Sequence, residues 1–83
     1  MKSEEEMPLS DQELDITRDI CPMTFVRTRL ALDRMQAGQV LQVRLKGEEP
    51  RANVPRTAVE QGHAVLARRE EGETLLLWIR KGG

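Results

Sequence analysis

The spacing of the hydrophobic residues changes several times along this chain, and these changes constrain the fold more than any other feature. Leu14 and Ile16 alternate with polar residues in "QELDIT", which is typical of a short half-buried strand. From Pro22 the apolar residues recur every three or four positions, which is typical of a helix packed on a sheet. Alternation returns in "QVLQVRLK", which predicts a second strand.

Proline and glycine predict the limits of this first helix. Pro22 suits the first turn because its φ is already helical and its missing N–H is not needed there. Gly38 is expected to end the helix as a left-handed C-terminal cap. The row expected to face the sheet comprises Phe25, Thr28, Ala31, Leu32 and Met35. A second apolar row on a different side comprises Met23, Val26 and Leu30, and it is mixed with Arg27 and Arg34.

The remaining segments complete a mixed fold. "GEEPRAN" is predicted to be a loop, and Pro55 and Gly62 to bound a short second helix of about two turns. "HAVLARR" and "TLLLWIRK" are predicted strands joined by a hairpin turn at Gly72. The order β-α-β-α-β-β predicts an α+β fold, a two-layer sandwich with two helices on one face of a four-stranded mixed sheet. Trp78 is out of phase with Leu77 and is expected to cover part of the other face.

Length and charge limit what such a chain can do. With 83 residues we expect one domain over residues 11–83, preceded by a flexible acidic tail over residues 1–10. Thirteen Lys and Arg against fourteen Asp and Glu leave no basic excess for binding nucleic acid directly. The sequence shows no apolar run long enough for a membrane span and no signal peptide, which predicts a cytoplasmic protein.

Cys21 is the only cysteine, so it cannot form an intramolecular disulfide. Together with the only histidine, His63, it cannot complete a structural zinc site. If the helix begins at Pro22, Cys21 is the N-cap, where backbone N–H groups and the helix dipole favour a thiolate. Arg18 and Arg27 add positive charge nearby. A buried cysteine that only packs as a small hydrophobic residue is the alternative.

Several short segments together resemble one protein family. They are "CPMT" at the start of a basic amphipathic helix, then "VLQVRL", "NVP", "GHAV" and a final "LWIRK". Over residues 12 to 81 the chain resembles the TusA/SirA family of small sulfur-carrier proteins, which has a Cys-Pro-x-Pro motif at this place. The fold of that family, two helices on a four-stranded mixed sheet, agrees with the element order above. Thr24 replaces the second proline, and Thr17, Arg18 and Asp19 replace the usual Arg-Gly-Leu, which suggests a divergent subgroup.

The resemblance implies that Cys21 carries sulfur as a persulfide and needs no cofactor or metal. A Cys21 thiolate would take the outer sulfur of a donor's persulfide and pass it to an acceptor sulfurtransferase. The donor would be of the cysteine desulfurase or rhodanese type. Pro22 would set the helix start, the N–H groups of Met23 and Thr24 would stabilise the anion, and Arg18 and Arg27 would support it electrostatically. The alternative for each arginine is that it belongs only to a solvated face.

The row of Met23, Val26 and Leu30 is predicted to dock partner proteins, because one side of this helix cannot reach the sheet. In isolation we expect a monomer. Partial cover of the row by the tail, or self-association through it, is the alternative. His63 is expected to have a structural role at a turn.

Three other functions are compatible with parts of the sequence. Cys21 could be a redox sensor or a mere cap in a non-catalytic interaction or regulatory module. The ending "RKGG" is shared with ubiquitin-like carriers, which hold sulfur on a terminal Gly-Gly, but those begin with a hairpin rather than a strand followed directly by a helix. A thiol-disulfide oxidoreductase is disfavoured because there is no second cysteine.

Overall fold

The computed structural model describes residues 9–20 and 22–82. The elements are β1 (Gln12–Asp15), α1 (Met23–Asp33), β2 (Val40–Lys46), α2 (Glu48–Glu60), β3 (Ala64–Glu71) and β4 (Thr74–Arg80). The strands form one mixed sheet in the order β1-β2-β4-β3, in which β1 runs parallel to β2 and the other neighbours are antiparallel. The predicted α+β sandwich with the order β-α-β-α-β-β is confirmed.

The core lies between the two helices and one face of the sheet. Strands β2 and β4 contribute every second residue, which buries Leu41, Val43, Leu45, Leu75, Leu77 and Ile79, and the helices add Leu32, Val54 and Ala58. Trp78 alternates with these residues and is only 5% exposed, with Gln42 and Ala67 as its cross-strand neighbours. The predicted position of Trp78 on the other face is therefore confirmed.

The predicted ends of α1 were both displaced. Pro22 is the N-cap and Met23 is the first helical residue, one position later than predicted. The helix ends at Asp33, and Gly38 does not cap it. Gly38 has φ of 92° in the turn that leads to β2, and its N–H donates to the carbonyl oxygen of Lys81 at 2.9 Å. Met35, two residues after the helix end, is buried in the core.

The prediction for α2 was wrong at its start. "GEEPRAN" is mostly helical, since α2 begins at Glu48 rather than Pro55. Glu48 and Glu49 favour the positive end of the helix dipole, and Pro50 lies in the first turn, where no N–H is needed. Pro55 lies inside the helix. Burial of one side of α2 against the sheet offsets the hydrogen bond that this proline cannot make.

Candidate functional site

The segment that leads into α1 is held by short-range hydrogen bonds. The Asp19 N–H donates to the carbonyl oxygen of Ile16 at 3.1 Å, and the Met23 N–H donates to that of Ile20 at 2.7 Å. Ile20 is 79% exposed, and Pro22 and Met23 are also exposed. Because Pro22 is the N-cap, the prediction that Cys21 is the N-cap was wrong by one position. Cys21 itself lies outside the described residues, so its thiolate stays a prediction. Its neighbours in sequence on both sides are open to solvent.

Of the groups predicted to support a Cys21 anion, the Met23 N–H and Arg27 already have partners in the protein, whereas Arg18 is exposed. The Met23 N–H donates to the Ile20 carbonyl oxygen, so the prediction that it stabilises the anion was wrong. Arg27 forms an ion pair with Asp19, in which Nη1 and Oδ2 are 2.5 Å apart. Arg18 is exposed. The positive charge of Arg27 is therefore partly balanced before any sulfur anion forms, whereas the helix dipole still favours an anion at this end of α1.

Asp15 stabilises the turn between β1 and this segment. Its Oδ1 accepts hydrogen bonds from the hydroxyl of Thr17 at 2.7 Å and from the Thr17 N–H at 2.9 Å. The Thr17 hydroxyl, followed by the Thr17 N–H, lowers the pKa of Asp15 below its usual value. The carboxylate form thus maintains a tight turn six residues before Cys21.

A shallow groove of about 420 Å³ lies beside this segment. Asp19 and Ile20 line one side, and the end of β2 with the first turn of α2, residues 46–50, lines the other. The sequence did not predict this groove, because "GEEPRAN" was expected to be a loop. The signal was present, since two glutamates followed by proline are typical of the first turn of a helix. The groove lies beside Ile20, the residue that precedes Cys21 in the sequence.

The two predicted rows of α1 face different environments. Met23, Val26 and Leu30 are 46, 40 and 49% exposed, so the prediction that this row cannot reach the sheet is confirmed. Thr28, Leu32 and Met35 are buried as predicted, whereas Phe25 and Ala31 are only half-buried. Thr24 is fully buried, which the prediction missed, although its spacing of four from Thr28 pointed to the same side.

His63 and Gly82 are hydrogen-bonded to each other, away from the start of α1. The Nδ1 atom of His63 accepts a hydrogen bond from the Gly82 N–H at 2.9 Å, which confirms a structural role at the turn. A Cβ atom on Gly82 would lie 1.9 Å from the carbonyl oxygen of Gly62, so this position requires glycine. Gly82 is thus packed into the fold, unlike the carrier end of a ubiquitin-like protein. Gly83 lies outside the described residues.

Comparison with known proteins places this arrangement in a family. The model of the family described as "Sulfurtransferase TusA" matches residues 12–81, which include Cys21 and every helix and strand. The chain belongs to the TusA family. The matched residues include Cys21 followed by Pro22, directly before the first helix.

The relatives span nearly the whole chain. YrkI of Bacillus subtilis, named as a candidate sulfur carrier, is 34% identical over 73 residues, which are 88% of this chain and 97% of YrkI. The sulfur carrier protein TusA of Pseudomonas entomophila is also 34% identical over 73 residues, covering 88% of this chain and 91% of that protein. The crystal structure of a SirA-like protein from Desulfitobacterium hafniense has a TM-score of 0.73 at 22% identity, covering 87% and 99% of the two chains. This last match shows the shared fold.

No helix in the described part of the chain is long and apolar enough to cross a membrane.

Proposed function

We propose that this protein is a sulfur carrier that holds sulfur as a persulfide on Cys21 and relays it to an acceptor protein. The observation that carries the proposal is the family match over residues 12–81, which includes Cys21 and the whole fold. Relatives of nearly the same length are named as sulfur carriers. The exposed residues on either side of Cys21 and the adjacent groove support an accessible sulfur.

The reaction is a transfer of one sulfur atom between two thiols. The Cys21 thiolate attacks the outer sulfur of a donor's persulfide, the S–S bond of the donor breaks, and the donor's cysteine leaves as a thiolate. Cys21 then carries the sulfur as a persulfide, and an acceptor thiolate repeats the same attack. No net oxidation occurs, and neither step needs a cofactor. The positive end of α1 and Arg18 stabilise the anionic forms.

Two kinds of partner follow from this chemistry. One is a donor that forms a protein-bound persulfide, of the cysteine desulfurase or rhodanese type, and the other is an acceptor sulfurtransferase with a reactive cysteine. Both have to approach the same sulfur, so both dock near the start of α1. The exposed row of Met23, Val26 and Leu30 is the docking surface that we propose.

Sulfur loading of the purified protein tests the proposal. The protein is incubated with a cysteine desulfurase and cysteine, or with a rhodanese and thiosulfate, and its intact mass is measured without reductant. We expect a gain of one sulfur atom that reductant removes, and no gain in Cys21→Ser. Absence of a gain with both donors would contradict the proposal and favour a non-catalytic interaction module. A gain that survives Cys21→Ser would point to the Gly82-Gly83 end.

A further inference from the structure

The solvent-facing side of α1 combines an apolar row with an excess of positive charge. Met23, Val26 and Leu30 form the row, and the helical spacing puts Arg27 and Arg34 on one side of it and Arg29 on the other. Asp33 is the only acidic residue between positions 23 and 34. We call this surface the α1 face. Its complement would be a segment that carries both apolar and acidic side chains.

Part of the positive charge on the α1 face is not paired within the described part of the chain. Arg27 is paired with Asp19. Within residues 9–20 and 22–82, Arg29 and Arg34 form no ion pair. These two guanidinium groups therefore attract an acidic segment over about a Debye length, roughly 8 Å at physiological salt.

Residues 1–8 have the complementary composition. The segment "MKSEEEMP" has three consecutive glutamates, Glu4 to Glu6, against one lysine, and Met7 and the following Leu9 are apolar. Leu9 is 87% exposed, so the chain enters this segment from the surface.

The segment begins within reach of the α1 face. Asp11 is fixed beside the start of β2, because its N–H donates to the Val40 carbonyl oxygen at 2.8 Å and its carboxylate accepts from the Val40 N–H at 2.8 Å. Val40 follows the turn that leaves α1, so the anchor lies at the end of the molecule where α1 ends. An eleven-residue helix is about 16 Å long. Eight extended residues span up to about 26 Å, enough to follow the whole helix.

We propose that residues 1–8 lie along the α1 face and compete with partner proteins for it. Glu4 to Glu6 pair with Arg29 and Arg34, and Met7 covers part of the apolar row. Surface ion pairs are individually weak, so we expect the covered state to exceed the open state by about three- to tenfold. Such a contact is easily displaced by a partner and weakened by salt. The effect on sulfur loading rests on the proposed carrier function, whereas the contact itself does not.

A spin label in the segment tests the contact without any sulfur chemistry. Ser3→Cys in the Cys21→Ser background of the full chain gives a single thiol for a nitroxide. We expect paramagnetic broadening of the amides of residues 23–34 to exceed that of β3, and to decline between about 0.05 M and about 0.5 M salt. Equal broadening of α1 and β3 would overturn the proposal. Broadening that arises only between labelled and unlabelled molecules would identify a second copy as the occupant and would also overturn it.

Loading kinetics test the competition. With a cysteine desulfurase as donor at low salt, we expect the full chain carrying Glu4→Gln, Glu5→Gln and Glu6→Gln to load about three- to tenfold faster than the parent. The matched control removes three acidic residues elsewhere, by Glu60→Gln, Glu70→Gln and Glu73→Gln, and should load at the parental rate. Equal rates in all three proteins would overturn the competition. If no variant loads, the proposed function fails, while the spin-label result still decides the contact.

Discussion

The hydroxyl of Thr24 is buried in the first turn of α1 and has no hydrogen-bond partner among the described residues. Thr28, one turn later, donates its hydroxyl to the Thr24 carbonyl oxygen at 2.8 Å. A buried hydroxyl without a partner costs about 1–3 kcal/mol relative to one that is paired. The resemblance to the Cys-Pro-x-Pro motif implies an apolar proline at position 24, so we do not expect the fold to require a hydroxyl here.

Replacement of this hydroxyl by a methyl group should stabilise the protein. We expect Thr24→Val to raise the free energy of unfolding by about 1 kcal/mol, because the two side chains have nearly the same shape and only the desolvation cost is removed. Urea unfolding followed by Trp78 fluorescence measures the change. The control is Thr28→Val, which loses a made hydrogen bond and should not gain stability. A loss of stability in Thr24→Val would mean that the hydroxyl has a partner in the protein.

At the scale of a secondary-structure element, α1 has a buried side that contributes to stability and an exposed side that we propose for docking. Thr24, Thr28 and Leu32 face the sheet at a spacing of four, whereas Met23, Val26 and Leu30 face solvent. Truncation of a buried leucine such as Leu32 to alanine costs about 2–5 kcal/mol. Side chains on the exposed row bury little area, so their replacement has little effect on the free energy of unfolding. The two sides of α1 can therefore be altered independently.

Polar substitutions on the exposed row should reduce docking without unfolding the protein. We expect Val26→Gln with Leu30→Gln to change the free energy of unfolding by less than about 0.5 kcal/mol and to lower the rate of sulfur transfer at least about tenfold. Thermal unfolding and single-turnover transfer from a donor are the two measurements. Val59→Gln on α2, where the side chain is 57% exposed, is the matched control. Unchanged transfer in the double variant would move the docking surface elsewhere.

At the scale of the whole molecule, Lys81 and Gly82, which follow β4, bind the end of α1 and the residues that follow α2. Lys81 donates from Nζ to the Leu32 carbonyl oxygen at 2.7 Å, which places a positive charge at the negative end of α1. Gly82 donates to Nδ1 of His63, which follows α2. Burial, followed by the positive charge of Lys81, lowers the pKa of His63, while Asp33 opposes the change. The folded protein therefore favours the neutral imidazole, which can accept the hydrogen bond.

The free energy of unfolding should accordingly decrease as the pH is lowered through the range where His63 titrates. Because the pKa is lower in the folded than in the unfolded protein, the contribution is fully present above about pH 6.5 and is lost as the pH falls through the folded value. Urea unfolding between about pH 8 and pH 5 should show this loss in the parent. The loss should be smaller in His63→Asn, which keeps an acceptor but does not titrate. Identical pH profiles would show that His63 makes no contribution.

The sequence predicted the strands, the two rows of α1 and the position of the single cysteine before a helix. Each of these follows from residues a few positions apart, whose spacing alone decides which side chains share a face. Both ends of α1 and the start of α2 were misplaced for the opposite reason. Pro55 is tolerated inside α2 because burial of one side of this helix against distant strands outweighs the local preference.

The candidate site likewise has some features that the sequence predicts and others that only the tertiary structure decides. Cys21, Pro22 and the resemblance to the family could be recognised from short segments of sequence. Only the tertiary structure brings Asp19 to Arg27, opens the groove between Ile20 and the start of α2, and joins His63 to Gly82. Such pairs are separated by 8 to about 30 positions, and their distance depends on how the helices and strands pack. Local chemistry is therefore determined by the sequence itself, whereas the surroundings of that chemistry are decided by the packing.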